Sequence, residues 1–489
     1  MDLEAVLRER FGHASFRTGQ EPVVRALLQA RDSLTILPTG GGKSLIYQLA
    51  AQLLPGLTIV VSPLLALMRD QVESLQARGL RVGVINSTQS AAADEQALRD
   101  ARSGTAKLLY VTPERFDDAD FMAAAGRMSV SLFVVDESHS ISEWGHTFRP
   151  AYLRLGEAIE RLKRPTILAL TATATPWVRR DIIERLGMRD PLVLVRGTDR
   201  PNLFLDVTRV EEENQDRRIL QQLFESDDQA MRGSGIIYVG TTRAAYQTAR
   251  WLTGWGIAAE FYHGQRKKSD RERVQDAFMS GKVRVIAATN AFGMGVDKPD
   301  VRFVVHRDIP ASLETYYQEA GRAGRDGQPA RCTLIYRPGD LGRAAFLAGV
   351  GGHTRDEHHS DEEEKEARRR AYDRSRLEMM RAYAELRECR RRYILNYFGE
   401  EPEWVRCGNC DVDLSHPSAR SSVARGPFAP GERVAHRSLG DGVVEHVTAD
   451  AVTVLFDEAG YKTLDLELVM GQDLLRHRED ESHRYVQGN

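Results

Sequence analysis

Residues 38–44 read Pro38-Thr39-Gly40-Gly41-Gly42-Lys43-Ser44, between a short β-branched run, Leu34–Leu37, and a helical pattern, Leu45–Leu54. Three glycines let backbone N–H groups turn inward and surround phosphate oxygens, and the following helix N-terminus adds a positive dipole. Lys43 is placed to reach β- and γ-phosphates and the Ser44 hydroxyl to ligate Mg²⁺. The strict phosphate-loop pattern has Gly where this chain has Leu37, so a glycine turn capping a helix is the alternative. A second signal decides between them. The apolar run Leu132–Val135 is followed at once by Asp136-Glu137-Ser138-His139. Carboxylates at a strand's carboxyl end sit where an open α/β sheet binds ligand. Asp136 is expected to hold Mg²⁺ through water, and Glu137 to orient the water that attacks the γ-phosphate.

Working outward, further short runs recur at helix-length spacing: Thr58–Val61, Val82–Ile85, Lys107–Val111 and Thr166–Leu170. This spacing predicts a parallel sheet covered on both faces. The pattern restarts at Gly235–Val239, Ala259–Tyr262, Val283–Ala287, Phe303–His306 and Thr333–Tyr336, which predicts a second α/β domain. That domain carries Gln318-Glu319-Ala320-Gly321-Arg322-Ala323-Gly324-Arg325-Asp326-Gly327. Two arginines on a glycine-rich turn are poor core material. Arg322 and Arg325 read as arginine fingers that neutralise a transferring phosphoryl group. Fingers on a separate domain engage only when a cleft closes, which would turn hydrolysis into motion.

The 489 residues carry 67 Lys and Arg against 70 Asp and Glu, a net charge of −3. That excludes a wholesale basic coat; nucleic acid, if bound, must use a local groove. Four cysteines exclude a disulfide framework, and Cys389, Cys407 and Cys410, within 22 residues, suggest metal instead. Cys332, in a strand pattern, reads as buried. The uncharged stretch Ser44–Met68 is broken by Gln48, Gln52, Pro55, Gly56 and Pro63, and reads as helix, turn and strand rather than a membrane span. The N-terminus has no apolar signal core, so the expected compartment is cytoplasmic.

These motifs, in this order, resemble superfamily 2 helicases, and the intervening residues narrow the resemblance to the RecQ family over about residues 5–413. Phe11–Gln20 resembles that family's adenine-recognition motif. The resemblance implies that Gln20 reads the adenine edge, that Arg17 supports the nucleotide, and that His13 stacks where the family often has tyrosine. The stretches 61–71 and 110–115 are similar to loops that contact the DNA backbone, with Ser62, Arg69 and Thr112 as candidates. Thr171-Ala172-Thr173-Ala174 matches the motif linking hydrolysis to DNA movement, its hydroxyls within expected reach of Asp136 or His139. In the second domain, Ile236–Val239, Tyr262–Gly264 and Ala288–Asp300 resemble the remaining motifs. They imply strand contacts by Thr289 and Asn290 and a nucleotide contact by Asp297. Ser142–Pro150, with Trp144, His146, Phe148 and Arg149, resembles the family's aromatic-rich, DNA-sensing loop. Core packing of Trp144 and Phe148 is the plainer reading of those residues.

The resemblance also implies a Zn²⁺ site. Cys389, Cys407 and Cys410 match three of the family's four cysteines, and Asp413 stands where the fourth would be, with His416 as rival ligand. Arg368–Arg370, Arg374, Arg376, Arg387 and Arg390–Arg392 offer a local basic DNA surface. The charged block Asp361–Arg370 reads as a solvated helix face. After Asp413, 76 residues remain, in which neither the family's winged-helix domain nor its helical DNA-binding domain fits. Residues 431–477 instead show strands at Gly442–Val447, Ala451–Phe456 and Tyr461–Leu466. They resemble the Tudor-like domain that ends the UvrD/PcrA helicases, implying a protein partner, RNA polymerase for one, or DNA.

The expected architecture is α/β. Two tandem RecA-like parallel-sheet domains (1–199 and 200–340) precede a helical zinc-binding module (341–413). A linker (414–430), a small SH3/Tudor-like β-barrel (431–477) and a tail (478–489) follow. The expected activity is that of an ATP- and Mg²⁺-dependent DNA helicase acting in repair and recombination. It would move 3′→5′ on single-stranded, tailed or forked DNA, be nucleoid-associated and have no membrane partner. The alternatives are a translocase that remodels protein–DNA complexes and a protein that tethers partners through its β domain.

Overall fold

The computed structural model describes residues 2–38, 40–86, 89–142, 148–212, 215–293, 298–342, 344, 361–400, 402–415, 427–429, 432–447, 451–457 and 459–478. The chain divides into two compact units, Met1–Thr198 and Asp199–Asn489.

The first unit is built on seven strands: β1 (Ser33–Ile36), β2 (Leu57–Val61), β3 (Val82–Ile85), β4 (Leu108–Val111), β5 (Val130–Val135), β6 (Thr166–Thr171) and β7 (Leu192–Val195). They pair in parallel in the order β3-β4-β2-β5-β6-β1-β7. Such a sheet is covered on both faces, which is why its strands read as unbroken apolar runs. Ile59, Phe133 and Ile167 point into one core, while their neighbours Val60, Val134 and Leu168 point into the other. Registers Ile36↔Thr171, Val61↔Val135 and Val61↔Val111 bring the carboxyl ends of five strands to one edge. That edge carries the candidate site.

The second unit holds β8 (Leu203–Arg209), β9 (Ser234–Tyr238), β10 (Ala259–Tyr262), β11 (Val285–Ala288), β12 (Val301–His306) and β13 (Ala330–Tyr336). These form a six-stranded parallel sheet in the order β10-β11-β9-β12-β13-β8. Strands β7 and β8 were not among the expected ones. β7 is a half-exposed edge strand, and β8 is interrupted by Asp206, which the sheet accepts because Arg331 (2.7 Å) and Thr333 (2.8 Å) bond its carboxylate. Cys332 is fully buried in β13, as expected.

Beyond the sheet, helices span Asp361–Glu385, Arg390–Tyr397 and Asp411–Ser415. A five-stranded antiparallel sheet follows: β14 (Arg433–His436), β15 (Gly440–Val447), β16 (Ala451–Phe456), β17 (Gly460–Asp465) and β18 (Leu475–His477), in the order β17-β16-β15-β14-β18. Val452, Val454 and Phe456 face its core, fulfilling their period-two pattern. The last expected strand ends one residue early, because Asp465 accepts the Leu468 N–H (3.0 Å) and caps a helix, Leu466–Gly471. Phe428, expected in the linker, belongs to this core and stacks on His477 at 5.0 Å. Tyr461 of β17 packs between Tyr372 (5.9 Å) and Tyr397 (5.8 Å), fastening the β domain to the preceding helices. Among the described residues, no helix is long and apolar enough to cross a membrane.

Candidate functional site

The phosphate loop follows β1 as expected, and its helix, Lys43–Leu53, starts at the lysine itself. Gly42 has φ +77°, and a Cβ there would overlap the Gln20 amide. The backbone angle favours glycine, and any side chain there would displace the Gln20 amide from the loop. Gln20 is buried, donates to Gly42 O (2.9 Å) and accepts the Arg17 N–H (2.8 Å). Arg17 donates to Gly40 O. The expected nucleotide-reading residues are thus bonded to the phosphate loop itself, whereas His13 is exposed. Lys43 Nζ folds onto the loop, donating to Leu37 O (2.9 Å) and Pro38 O (3.3 Å). Thr39 lies outside the described residues.

Asp136 and Glu137 follow β5 at the same edge. Asp136 is buried, and its carboxyl is pushed up to about 7, first by burial and then by the adjacent Glu137; Lys43, the Glu137 N–H (3.0 Å) and Ser62 pull the other way. Glu137 has φ +48°, a left-handed conformation that is strained for a side-chain-bearing residue. This turn aims its carboxylate toward His139 Nδ1 (3.4 Å), which also meets Thr171 Oγ1 (2.8 Å). Thr171 Oγ1 in turn donates to Thr173 O (3.0 Å). The hydroxyl–histidine link foreseen between the two motifs is present. Tyr152, not foreseen, donates to Asp136 O (2.9 Å) and holds the turn from behind.

A carboxyl raised in the folded state favours folding when protonated and costs stability once ionised. That contribution is full below the ordinary carboxylate range and is lost as pH rises through about 7. In metal- and nucleotide-free buffer at pH 8, Asp136→Asn is therefore expected to unfold several degrees higher than the parent, with the gap closing toward pH 5. Calorimetry across that range checks it; a gap independent of pH would exclude the ionisation as its cause.

Of the expected DNA contacts, Ser62 and Thr112 sit at the ends of β2 and β4 and are only 2% and 4% exposed. Arg69 is exposed and pairs with Glu73 (2.9 Å). Phe148 and Arg149 are half-buried. Trp144 and His146 lie outside the described residues. In the second unit, Thr289 is half-buried and Asn290 exposed, while Asp297 lies outside the described residues. Gln318 is half-buried on the helix Leu313–Ala320, which Ser312 caps. Arg322 is 7% exposed and lies so close to the loop after β11 that a Cβ at Gly293 would stand 2.8 Å from its Nη2. Arg325 is half-buried.

The cysteines converge. The donor atoms of Cys389, Cys407, Cys410 and Asp413 lie within 4.8 Å of one another. The three thiols titrate as one set, in which hydrogen bonds from the other two lower the Cys410 thiol while those of Cys389 and Cys407 are raised, so the first negative charge falls on Cys410. Asp413 Oδ2 accepts the N–H groups of Cys407 (2.8 Å) and Gly408 (3.1 Å), which fixes the carboxylate in the loop. Three sulfurs and a carboxylate at this spacing suit tetrahedral Zn²⁺. His416 lies outside the described residues. Asp413→Cys is expected to hold zinc longer against a chelator, and Asp413→Ala to lose it fastest. Zinc content after timed EDTA exposure measures both; equal loss from all three chains would remove Asp413 from the ligand set.

The basic surface expected around this module is smaller than the sequence suggests. Arg376 is buried against Glu314 (3.4 Å), Arg390 forks onto Asp411 (2.5 and 3.0 Å), and Arg391 pairs with Asp199. These three guanidiniums are themselves buried and paired with carboxylates, of which only Glu314 is interior, while Arg369, Arg374 and Arg387 remain exposed. The side chain of Arg368 lies outside the described ones.

Three family models match the chain: DEAD/DEAH box helicase over residues 17–181, helicase conserved C-terminal domain over 215–327, and RecQ zinc-binding over 340–414. Among curated proteins, "ATP-dependent DNA helicase RecQ" of Pasteurella multocida is 41% identical over 84% of this chain and 62% of its own length. The protein of that name from Bacillus subtilis is 39% identical over 86% and 68%. The chain thus spans about two thirds of the length of these relatives, and slightly less of the first. Among solved structures, helicase Lhr of Mycobacterium smegmatis bound to ssDNA and AMP-PNP superposes with TM-score 0.53 at 22% identity, covering 71% of this chain and 49% of that one. Dbp5 of S. cerevisiae bound to RNA and ADP BeF3 gives 0.52 at 19%, covering 72% and 92%. At these identities the likeness extends to the fold.

Proposed function

Because the chain belongs to the RecQ family of helicases, we propose that it hydrolyses ATP to travel 3′→5′ along single-stranded DNA and to open tailed or forked duplexes. The observation that carries this reading is the convergence of Lys43, Asp136, Glu137, His139 and Thr171 on one edge of the first sheet. Lys43 and the loop amides bind the β- and γ-phosphates, and Gln20 and Arg17 hold the base end. Ser44 and Asp136 are the residues that would hold Mg²⁺, which when bound offsets phosphate charge. Glu137 orients the attacking water and takes up its proton. Arg322 and Arg325 counter the charge that develops on the transferring group. His139 and Thr171 tie Glu137 to the motif after β6, so a shift on DNA binding would reach the water-positioning carboxylate.

Cys389, Cys407, Cys410 and Asp413 would hold Zn²⁺, whose contribution is to fix their loop. The β domain is the reading's docking element for a protein partner, with RNA polymerase as the first to test. The chain's setting is the cytoplasm, with the nucleoid as its workplace. A strand-displacement assay tests the activity: 3′-tailed duplex is opened with ATP, and blunt and 5′-tailed duplexes are not. ATP turnover without strand release would favour the translocase reading instead.

A further inference from the structure

The segment that opens the second unit, Asp199–Leu203, is gripped from two sides. Toward the arginine turn, Arg200 donates to Gly321 O (3.2 Å), Ala323 O (2.9 Å) and Gly324 O (2.8 Å). Asn202 Nδ2 adds bonds to Gly324 O (2.8 Å) and Gln328 O (2.9 Å). Gly324 itself has φ +56°, and a Cβ there would overlap the Asn202 amide. Toward the cysteine loop, Asn409, between Cys407 and Cys410, donates to Pro201 O (3.0 Å) and Leu203 O (3.2 Å), while Arg391 pairs with Asp199.

The turn Gly321–Gly327 follows the helix Leu313–Ala320 directly, so most of its carbonyls lie outside the helix ladder and open to side-chain donors. A guanidinium spreads five donors over a rigid plane and reaches carbonyls that stand apart, here with Nη1 on Gly321 O and Nη2 on Ala323 O and Gly324 O; an ammonium gathers its three donors on one atom. Arg322 and Arg325 stand within this braced stretch. We propose that Arg200 and Asn202 are positioning residues for ATP hydrolysis: they hold the turn that presents Arg322 and Arg325, from a segment that Asn409 and Arg391 anchor to the cysteine module. This rests on the reading of those two arginines given above.

The test uses the full chain, with single-stranded DNA saturating. Steady-state ATP turnover gives kcat and KM, equilibrium binding of a fluorescent ATP analogue gives affinity, and thermal unfolding and zinc content report folding. Arg200→Ala is expected to lower kcat on the order of tenfold to a hundredfold, the scale of a small misplacement of a reacting group. KM and analogue affinity are expected to stay within about twofold of the parent at that cost to kcat, since the altered turn acts on the reacting phosphoryl group. Arg200→Lys is expected to recover part of the loss. Asn409→Ala is expected to lower kcat less, with zinc content unchanged. Should Arg200→Ala not fold, Asn202→Ala removes two hydrogen bonds without removing a charge and carries the same expectation. The proposal is overturned if Arg322→Ala depresses kcat while Arg200→Ala or Asn202→Ala turns over like the parent, or if their losses lie in KM alone. If Arg322→Ala itself keeps full kcat, the arginine reading fails first, and this proposal with it.

Discussion

Lys43→Ala and Glu137→Gln are expected to abolish DNA-stimulated ATP turnover while the chain stays folded, and to do so by different routes. Lys43 is half-buried at the mouth of the phosphate loop, where its ammonium donates to the Leu37 and Pro38 carbonyls. Its removal takes away the charge that meets the phosphates, so nucleotide affinity falls along with turnover. Glu137→Gln keeps size and polarity in the strained turn after β5, so the backbone has no reason to rearrange. On the proposed assignment it removes the group that would take up a proton from the attacking water, an expected loss of roughly 10²–10⁴ in kcat. Its ATP affinity is expected to stay near the parent value. Turnover assays paired with binding of a non-hydrolysable analogue separate the two; full turnover in either variant would defeat the assignment of this edge as the ATP site.

Arg322→Ala is expected to lower kcat on the order of 10³–10⁵, the range for arginines that act on a transferring phosphoryl group. The side chain is 7% exposed beside the loop after β11. Part of any loss could therefore reflect packing, and Arg322→Lys serves as the control. Lysine keeps a charge and most of the volume but lacks the planar fork, so it is expected to restore stability and little of kcat. Single-turnover rates, with nucleotide affinity measured alongside, give the result. An Arg322→Ala chain that binds and hydrolyses ATP like its parent would leave the turn without a catalytic role.

The parts of this molecule that were readable in advance are those where one local pattern has one physical meaning. The glycine loop between β1 and its helix, and the carboxylate pair after β5, could be read because parallel strands are buried on both faces and end at a shared edge. Of the four clustered donors, the three cysteines were legible as a spacing, and Asp413 only through the family resemblance. The edge strands were not. The Asp206 carboxylate in β8 looks foreign to a sheet until Arg331 and Thr333, more than a hundred residues away, are brought beside it. The same limit misled the reading of the arginines near the cysteines. Arg376, Arg390 and Arg391 look like a basic face in one dimension, and only tertiary pairing with Glu314, Asp411 and Asp199 shows them to be interior counter-charges. Arg200, Asn202 and Asn409 carry no motif signal, because their partners are backbone carbonyls, which every sequence supplies alike.

ATP turnover measured with and without a single-stranded DNA oligonucleotide, at saturating nucleotide, bears most directly on the claim that hydrolysis at Lys43 and Glu137 drives travel along DNA. Turnover is expected to be slow alone and to rise many-fold when the oligonucleotide is added, with RNA of the same sequence far less effective. Turnover indifferent to DNA, or raised equally by RNA, would contradict that claim.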